Sequence, residues 1–161
     1  MSLNRFHPHL FILPEDDANR QMATGFVLHF GVASRKVQVL PEAGGWCAVL
    51  DRFEKDHVAS LRKYADGRML LLLDFDAAPD RFAQVQAKVP GDLRDRVFIL
   101  GVKTTPEELR GFLGISPEKI GSQLAGECCD GTDATWSHEL LAHNAAELVR
   151  MGTSVRSFLF P

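Results

Sequence analysis

The chain contains no apolar run approaching the roughly 20 residues that a bilayer span requires. Its clearest continuous run, Met69–Leu73, has the length of a buried strand. Met1–Pro14 lacks a basic segment followed by a long apolar stretch and a small-residue cleavage site, so no secretory signal is expected there. Cysteine is scarce. Cys47 and the adjacent pair Cys128–Cys129 make an odd set without framework spacing, which argues against a disulfide scaffold and against structural zinc and points to a reducing, cytoplasmic setting. A basic surplus is also missing. The formal charge of −3 gives no overall attraction to a polyanion, so any nucleic-acid contact would have to use a local patch. Internal repeats and low-complexity stretches are absent.

What remains is ordinary globular composition, with 45% hydrophobic and 24% charged residues in a 161-residue chain, enough for one core and too little for two full domains. Residues 9–14 form an apolar run stopped by proline, and Glu15-Asp16-Asp17 lead into a helical pattern that extends to about His29. Residues 36–41 make a second, β-branched run. Gly44-Gly45 break the chain before an amphipathic helix predicted over Trp46–Tyr64. Met69–Leu73, continuously apolar, predicts a strand covered on both faces and therefore central. Val97–Val102 is a fourth strand. Thr105-Pro106-Glu107-Glu108 supplies an N-cap, a first-turn proline and a capping-box glutamate for the helix that follows.

Ser116-Pro117 opens a further helix toward Glu127, and the spacing of Leu140, Leu141, Leu148 and Met151 predicts a helix over Ser137–Met151. The tail Val155–Pro161 carries Phe158, Leu159 and Phe160, more apolarity than a free terminus usually has. It is expected to dock on the body or on a partner, including a second copy of the chain. Alternation of strands and crossover helices implies a three-layer α/β/α fold: a mainly parallel sheet of about four strands in the order 2-1-3-4. Residues 1–161 are read as one domain, with 115–161 a mainly helical C-terminal extension.

In open parallel sheets, ligands bind beyond the carboxyl ends of the strands, where strand order reverses. Glu15 ends the first strand and Asp74-Phe75-Asp76 ends the third. In the order 2-1-3-4 these ends are neighbours. A period of two then turns Asp74 and Asp76 to one side and Phe75 to the opposite layer. Three clustered carboxylates repel one another and need a compensating cation. Mg²⁺, or Mn²⁺ in its place, keeps waters that leave positions for phosphate oxygens, so an open site made by Glu15, Asp74 and Asp76 suits phosphoryl transfer. Glu15 is also placed for proton transfer. Acids after strands commonly serve as helix caps, and that role accounts for Asp16 and Asp17.

On Glu15 and Asp74-Phe75-Asp76 the chain resembles the Toprim domain of topoisomerases, bacterial primases, small ribosomal-RNA maturases and overcoming-lysogenization-type nucleases, over roughly residues 9–105. The resemblance implies Mg²⁺ held by Asp74 and Asp76, Glu15 in proton transfer, and a phosphodiester of nucleic acid as substrate, handled with partner subunits. Two positions depart from the family: Asp16 stands where a glycine is usual, and Asn19 where an acid is frequent. The same strand ends also resemble a receiver domain, with Glu15-Asp16-Asp17 as acidic pocket, Asp74 as phosphoacceptor and Thr104 or Thr105 as switch hydroxyl. A receiver would need a fifth strand ending in lysine, and no clear one is found.

Other constellations carry less. His138 and His143 are five apart, about 140° around a helix, which does not fit the zinc-protease pattern. Gly44-Gly45 either cradle a phosphate or form a plain turn. Lys103, after the fourth strand, lies at the same edge as the acids and is the candidate phosphate contact.

Overall fold

The computed structural model describes residues 3–161. Four strands, β1 (His9–Pro14), β2 (Val37–Val39), β3 (Gly67–Leu72) and β4 (Val97–Leu100), form one parallel sheet in the order β2-β1-β3-β4. This is the predicted order. Leu10 pairs with Val37 on one side of β1 and with Arg68 on the other, and Met69 of β3 pairs with Val97 of β4.

Alternation along the strands divides the apolar side chains between two layers. Leu10, Ile12, Leu70, Leu72, Phe98 and Leu100 face helices α1 (Asp17–Val27), α6 (Pro117–Asp130) and α7 (Ala145–Leu159). Phe11, Leu13, Met69, Leu71, Val97 and Ile99 face the opposite layer, built from α2 (Trp46–Arg52), α3 (Val58–Lys63) and α4 (Arg81–Ala87). The amphipathic run predicted over Trp46–Tyr64 is interrupted by a π turn at Phe53–His57, where the Val58 N–H reaches back to the Phe53 carbonyl. Among the described residues no helix is long and apolar enough to cross a membrane.

Helix α5 (Pro106–Leu113) starts as its sequence predicts: the Thr105 hydroxyl caps the Glu108 N–H at 3.3 Å, and Gly114 closes the helix in the left-handed region. Ser116 caps α6 in the same way. Helices α1 and α6 cross at backbone contact. A Cβ on Gly25 would lie 1.9 Å from the Glu118 carbonyl oxygen, and one on Gly121 would lie 1.9 Å from that of Met22, so neither position admits a side chain.

The helix predicted over Ser137–Met151 is displaced. Residues 137–141 are turns, and α7 begins only at Ala145 but runs on through Leu159. Leu140 and Leu141, whose spacing suggested helix, are buried by packing against Met22, Leu109 and Ile120 instead. The apolar tail is the last part of α7: Phe158 and Leu159 are buried on the sheet, and Phe160 meets Phe26 edge-on at 6.0 Å. It docks on the body, which removes it as a surface for a partner or a second copy. Helices α6 and α7 from this stretch share one layer with α1.

Helix α7 also does what a fifth strand would do. The outer edge of β4 is an unpaired ladder that must be satisfied once buried. Glu147 Oε2 accepts the Ile99 N–H at 2.8 Å, and Arg150 donates to the Val97 carbonyl at 2.7 Å. Asn144 accepts from the Gly101 N–H at 3.2 Å and donates to its carbonyl at 2.9 Å. Between this helix, α6 and the sheet lies a cavity of about 320 Å³.

Glu147→Ala is expected to destabilise the protein by about 1–3 kcal/mol, because the buried Ile99 N–H loses its acceptor. Glu147→Gln, which keeps an acceptor, should cost less. Urea midpoints and the exchange rate of the Ile99 amide check both.

Candidate functional site

Glu15 is held on three sides. Its N–H continues the β1–β3 ladder to the Leu72 carbonyl at 2.8 Å, its carbonyl accepts the Gly44 and Gly45 N–H groups at 2.8 and 3.3 Å, and its Oε2 accepts the Asp74 N–H at 2.6 Å. The side chain takes over the ladder where the backbone carbonyl has turned away toward the loop before α2. Gly44 and Gly45 have φ of +96° and +131°, which glycine adopts without strain. Their N–H groups are spent on Glu15, so the pair is a turn and not a phosphate cradle.

Asp16 is the N-cap of α1 and accepts the Asn19 N–H at 2.9 Å. Asn19 is fully buried, and its Nδ2 donates both to Asp16 Oδ1 at 3.0 Å and to Asp74 Oδ1 at 2.8 Å. One amide nitrogen thus links the carboxylate of its own helix cap to Asp74, 55 residues away from Asn19. Burial pushes the Asp74 carboxyl up to about 8; the nearby Asp16 and Glu15 charges add to the rise, and the Asn19 hydrogen bond opposes it. Burial also raises the Glu15 carboxyl above its ordinary range, with the Asp74 N–H lowering it and the Asp16 and Asp76 charges adding to the rise.

Asp76 departs from the expectation. Pairing within β3 ends at Leu72, and Asp76 and Ala77 both lie in the left-handed region with φ of +50° and +57°. The period of two therefore lapses before Asp76 is reached. Its carboxylate turns to Arg81 at 3.1 Å and is half exposed, while Asp74 is buried. Phe75 is buried in the α2–α4 layer, as alternation predicts. Among the described residues no group of three His, Cys, Asp or Glu side chains is disposed around one metal position. The expected cluster of Glu15, Asp74 and Asp76 is accordingly not assembled. Glu15 and Asp74 meet, Asp16 joins them, and Asp76 is diverted.

Arg81, the first residue of α4, is the cation that the fold brings to the acids. It donates to the Asp74 carbonyl at 3.0 Å as well as to Asp76, and its guanidinium lies 4.2 Å from the centre of the Trp46 ring. Lys103 stands at the same edge, its N–H bonded to the Leu140 carbonyl and its side chain exposed. Thr105 is committed to capping α5. Thr104 is held by its carbonyl to the Asp76 N–H at 3.1 Å. His143 sits edge-on to Phe75 at 5.0 Å, and desolvation lowers its pKa, with the Lys103 charge acting in the same direction. His138 lies in the turns before α7, where its ring accepts the Leu140 N–H, so the two histidines share no helix.

Among the described residues, the buried side-chain polar atoms without a hydrogen-bond partner are Asn19 Oδ1, Arg81 Nε and Thr104 Oγ1. All three lie at the carboxyl edge of the sheet, around Asp74. Buried polar groups are nearly always satisfied, so an unsatisfied set gathered at one place marks a position for ordered water or a ligand. Asn19 and Arg81 have no role at the site in the sequence reading, and Asp16 and Thr104 enter it only through the resemblance to a receiver domain. The only signals were an asparagine one turn after Glu15 and an arginine opening the helix after Asp74-Phe75-Asp76. No protein-family model matches the chain, and no curated protein matches it.

Asp16, Asp74 and Glu15 carboxylates with the Asn19 amide oxygen are hard oxygen donors. Two carboxylates with retained waters are enough for Mg²⁺. Asp16 and Asp74 would supply those two carboxylates, although among the described residues no three such side chains surround one metal position.

Two outcomes follow. The folded-state pKa of Asp74, about 8, lies above its ordinary value of 3.8, so the neutral carboxyl contributes stability that is complete below pH 3.8 and is lost as pH rises through about 8. Asp74→Asn, which stays neutral, should match the wild type near pH 4 and exceed it increasingly toward pH 8, as read from melting temperatures across that range. Glu15→Ala strands the buried Asp74 N–H and should cost about 1–3 kcal/mol; Glu15→Gln should recover most of that in denaturant titrations.

Proposed function

We propose that this chain is a Toprim-like, Mg²⁺-dependent enzyme that hydrolyses or transfers a phosphodiester of nucleic acid, with Mn²⁺ able to replace Mg²⁺. The observation that carries the reading is the gathering of unpartnered buried atoms near Asp74: the oxygen of the Asn19 amide, whose nitrogen bonds Asp16 and Asp74, with the Arg81 Nε and the Thr104 hydroxyl. Oxygen acceptors suit a hard cation, and N–H and O–H donors suit phosphate oxygens. A site offering both is suited to a metal-bound phosphate ester rather than to a structural ion.

In this reading Asp74 and Asp16, held together by the Asn19 amide nitrogen, hold the cation. When bound, the ion supplies positive charge that offsets the charge developing on the phosphate. Arg81 binds and orients a phosphate oxygen through its Nε, and its stacking on Trp46 keeps the guanidinium plane fixed. Thr104 contributes a hydroxyl to the same group. Glu15, with its raised pKa, takes a proton from the attacking hydroxyl or water as the new P–O bond forms, and the leaving oxygen acquires a proton as the old bond breaks. Asp76 keeps Arg81 in place. Lys103 extends the positive surface toward a longer substrate. The net charge of −3 leaves most of the electrostatic grip on nucleic acid to a partner subunit.

The test combines cation binding with turnover. Mg²⁺ or Mn²⁺ should raise the melting temperature of the wild type and leave that of Asp74→Asn unchanged. Cleavage of single- or double-stranded DNA or RNA should fall by about 10²–10⁴-fold in Glu15→Gln, and it should disappear in Asp74→Asn. A folded wild type that neither responds to the cations nor cleaves any of these substrates would sink the reading. Covalent labelling of Asp74 by acetyl phosphate would replace it with the receiver-like one.

A further inference from the structure

The cavity between α6, α7 and the sheet plays no part in the chemistry proposed at the carboxyl edge. Its volume, about 320 Å³, falls at the lower end of the range of small-molecule sites, roughly 300–1,000 Å³. Its interior is lined by apolar side chains, among them Met22, Leu72, Leu148 and Met151, and its rim is made by exposed residues of the α6 C-terminus and of α7. Gly152 is a second sign of open space. It lies within α7 and lines the cavity, and a Cβ built on it would meet nothing within 4 Å. The space opens to solvent yet is lined almost wholly by apolar side chains, so water inside it finds few polar partners and an apolar chain can displace it.

The rim identifies the polar end of what fills it. Arg156 bridges from α7 to the last turn of α6, donating one guanidinium N–H to the Cys128 carbonyl at 2.7 Å. Among the described residues it forms no ion pair with any carboxylate. Two acids share the rim. Glu127 is committed, accepting the Thr135 and Trp136 N–H groups at 2.8 and 3.2 Å, and Asp133 is exposed on the turn after α6. The unpaired cation at the mouth of an apolar space therefore complements an amphipathic anion. We infer that this space is a binding site for the acyl chain of a carboxylic acid, with Arg156 receiving the carboxylate at the rim.

Decanoate, decanol and decylamine, each below its micellar concentration, test this by calorimetric titration of the full chain. Decanoate should bind saturably with one site, and decanol about tenfold more weakly, the loss of one charge-assisted contact. Arg156→Gln should bring decanoate down to the level of decanol and leave decanol unchanged. Gly152→Leu, which fills the space, should abolish binding of both and raise the melting temperature of the unliganded protein. Should that variant fail to fold, nuclear Overhauser contacts from the end of the decanoate chain to the Met22 and Met151 methyl groups locate the ligand in the wild type. Absence of saturable binding by all three probes would overturn the proposal. So would equal affinity for decanoate and decanol, a preference for decylamine, or contacts elsewhere.

Discussion

The bond from the Asp74 N–H to Glu15 Oε2 is the constraint on which the carboxyl edge depends. At the end of β1 the backbone carbonyl of Glu15 leaves the ladder to hold Gly44 and Gly45, and with them the start of α2. Without a substitute acceptor the N–H of Asp74 would be buried and unpaired. The Glu15 side chain supplies that acceptor at 2.6 Å, so one residue joins two strands and the loop before α2. Sheet closure and acid placement are therefore the same event. A glutamine serves the closure equally well, and only the chemistry distinguishes the carboxylate.

The cost of this arrangement is electrostatic. Glu15 and Asp74 are both buried and lie within reach of the Asp16 charge, and each carboxyl is pushed upward. Asn19 offsets part of the repulsion by donating to two of the carboxylates at once, and Arg81 draws Asp76 aside. Asp76 and Ala77 add backbone strain, since left-handed φ values at consecutive non-glycine residues are unfavourable. A sequence selected for stability alone would place apolar residues and a glycine here. Repulsion, strain and unpartnered polar atoms coincide at one sheet edge, and that coincidence is the pattern expected where stability has been traded for binding or chemistry.

The sheet was legible in the sequence because its strands are short apolar runs bounded by proline, glycine or acids, and because Met69–Leu73 could only be central. The caps Thr105 and Ser116 were legible for a local reason: capping acts within four residues. The site was legible only in part. Glu15 and Asp74 follow from strand ends, but Asp76 was placed by extending the strand period beyond the last paired residue. Asn19 and Arg81 join the site through contacts that depend on helix position, and no sequence spacing encodes them. The misplaced helix has a similar cause. Leu140 and Leu141 carry helical spacing, yet they are buried by tertiary packing from a turn, which overrides the local pattern.

The sealing of β4 by α7 extends this reasoning to the far side of the sheet. A parallel sheet with only four strands leaves β4 exposed unless something takes up its N–H and carbonyl groups. Side chains from one helix do so, and their reach sets how closely the helix can approach. Asn144 clamps both polar groups of Gly101 at the end of β4, and the chain from there runs directly to Lys103 and Thr104. Farther along, Glu147 and Arg150 hold the helix to Ile99 and Val97 at the edge, while Met151 and Val155 join the core on that face of the sheet. An edge satisfied by long polar side chains therefore has two consequences. It positions the loop that carries Thr104 beside Asp74, and it leaves between α6, α7 and the sheet a space that apolar side chains line without filling.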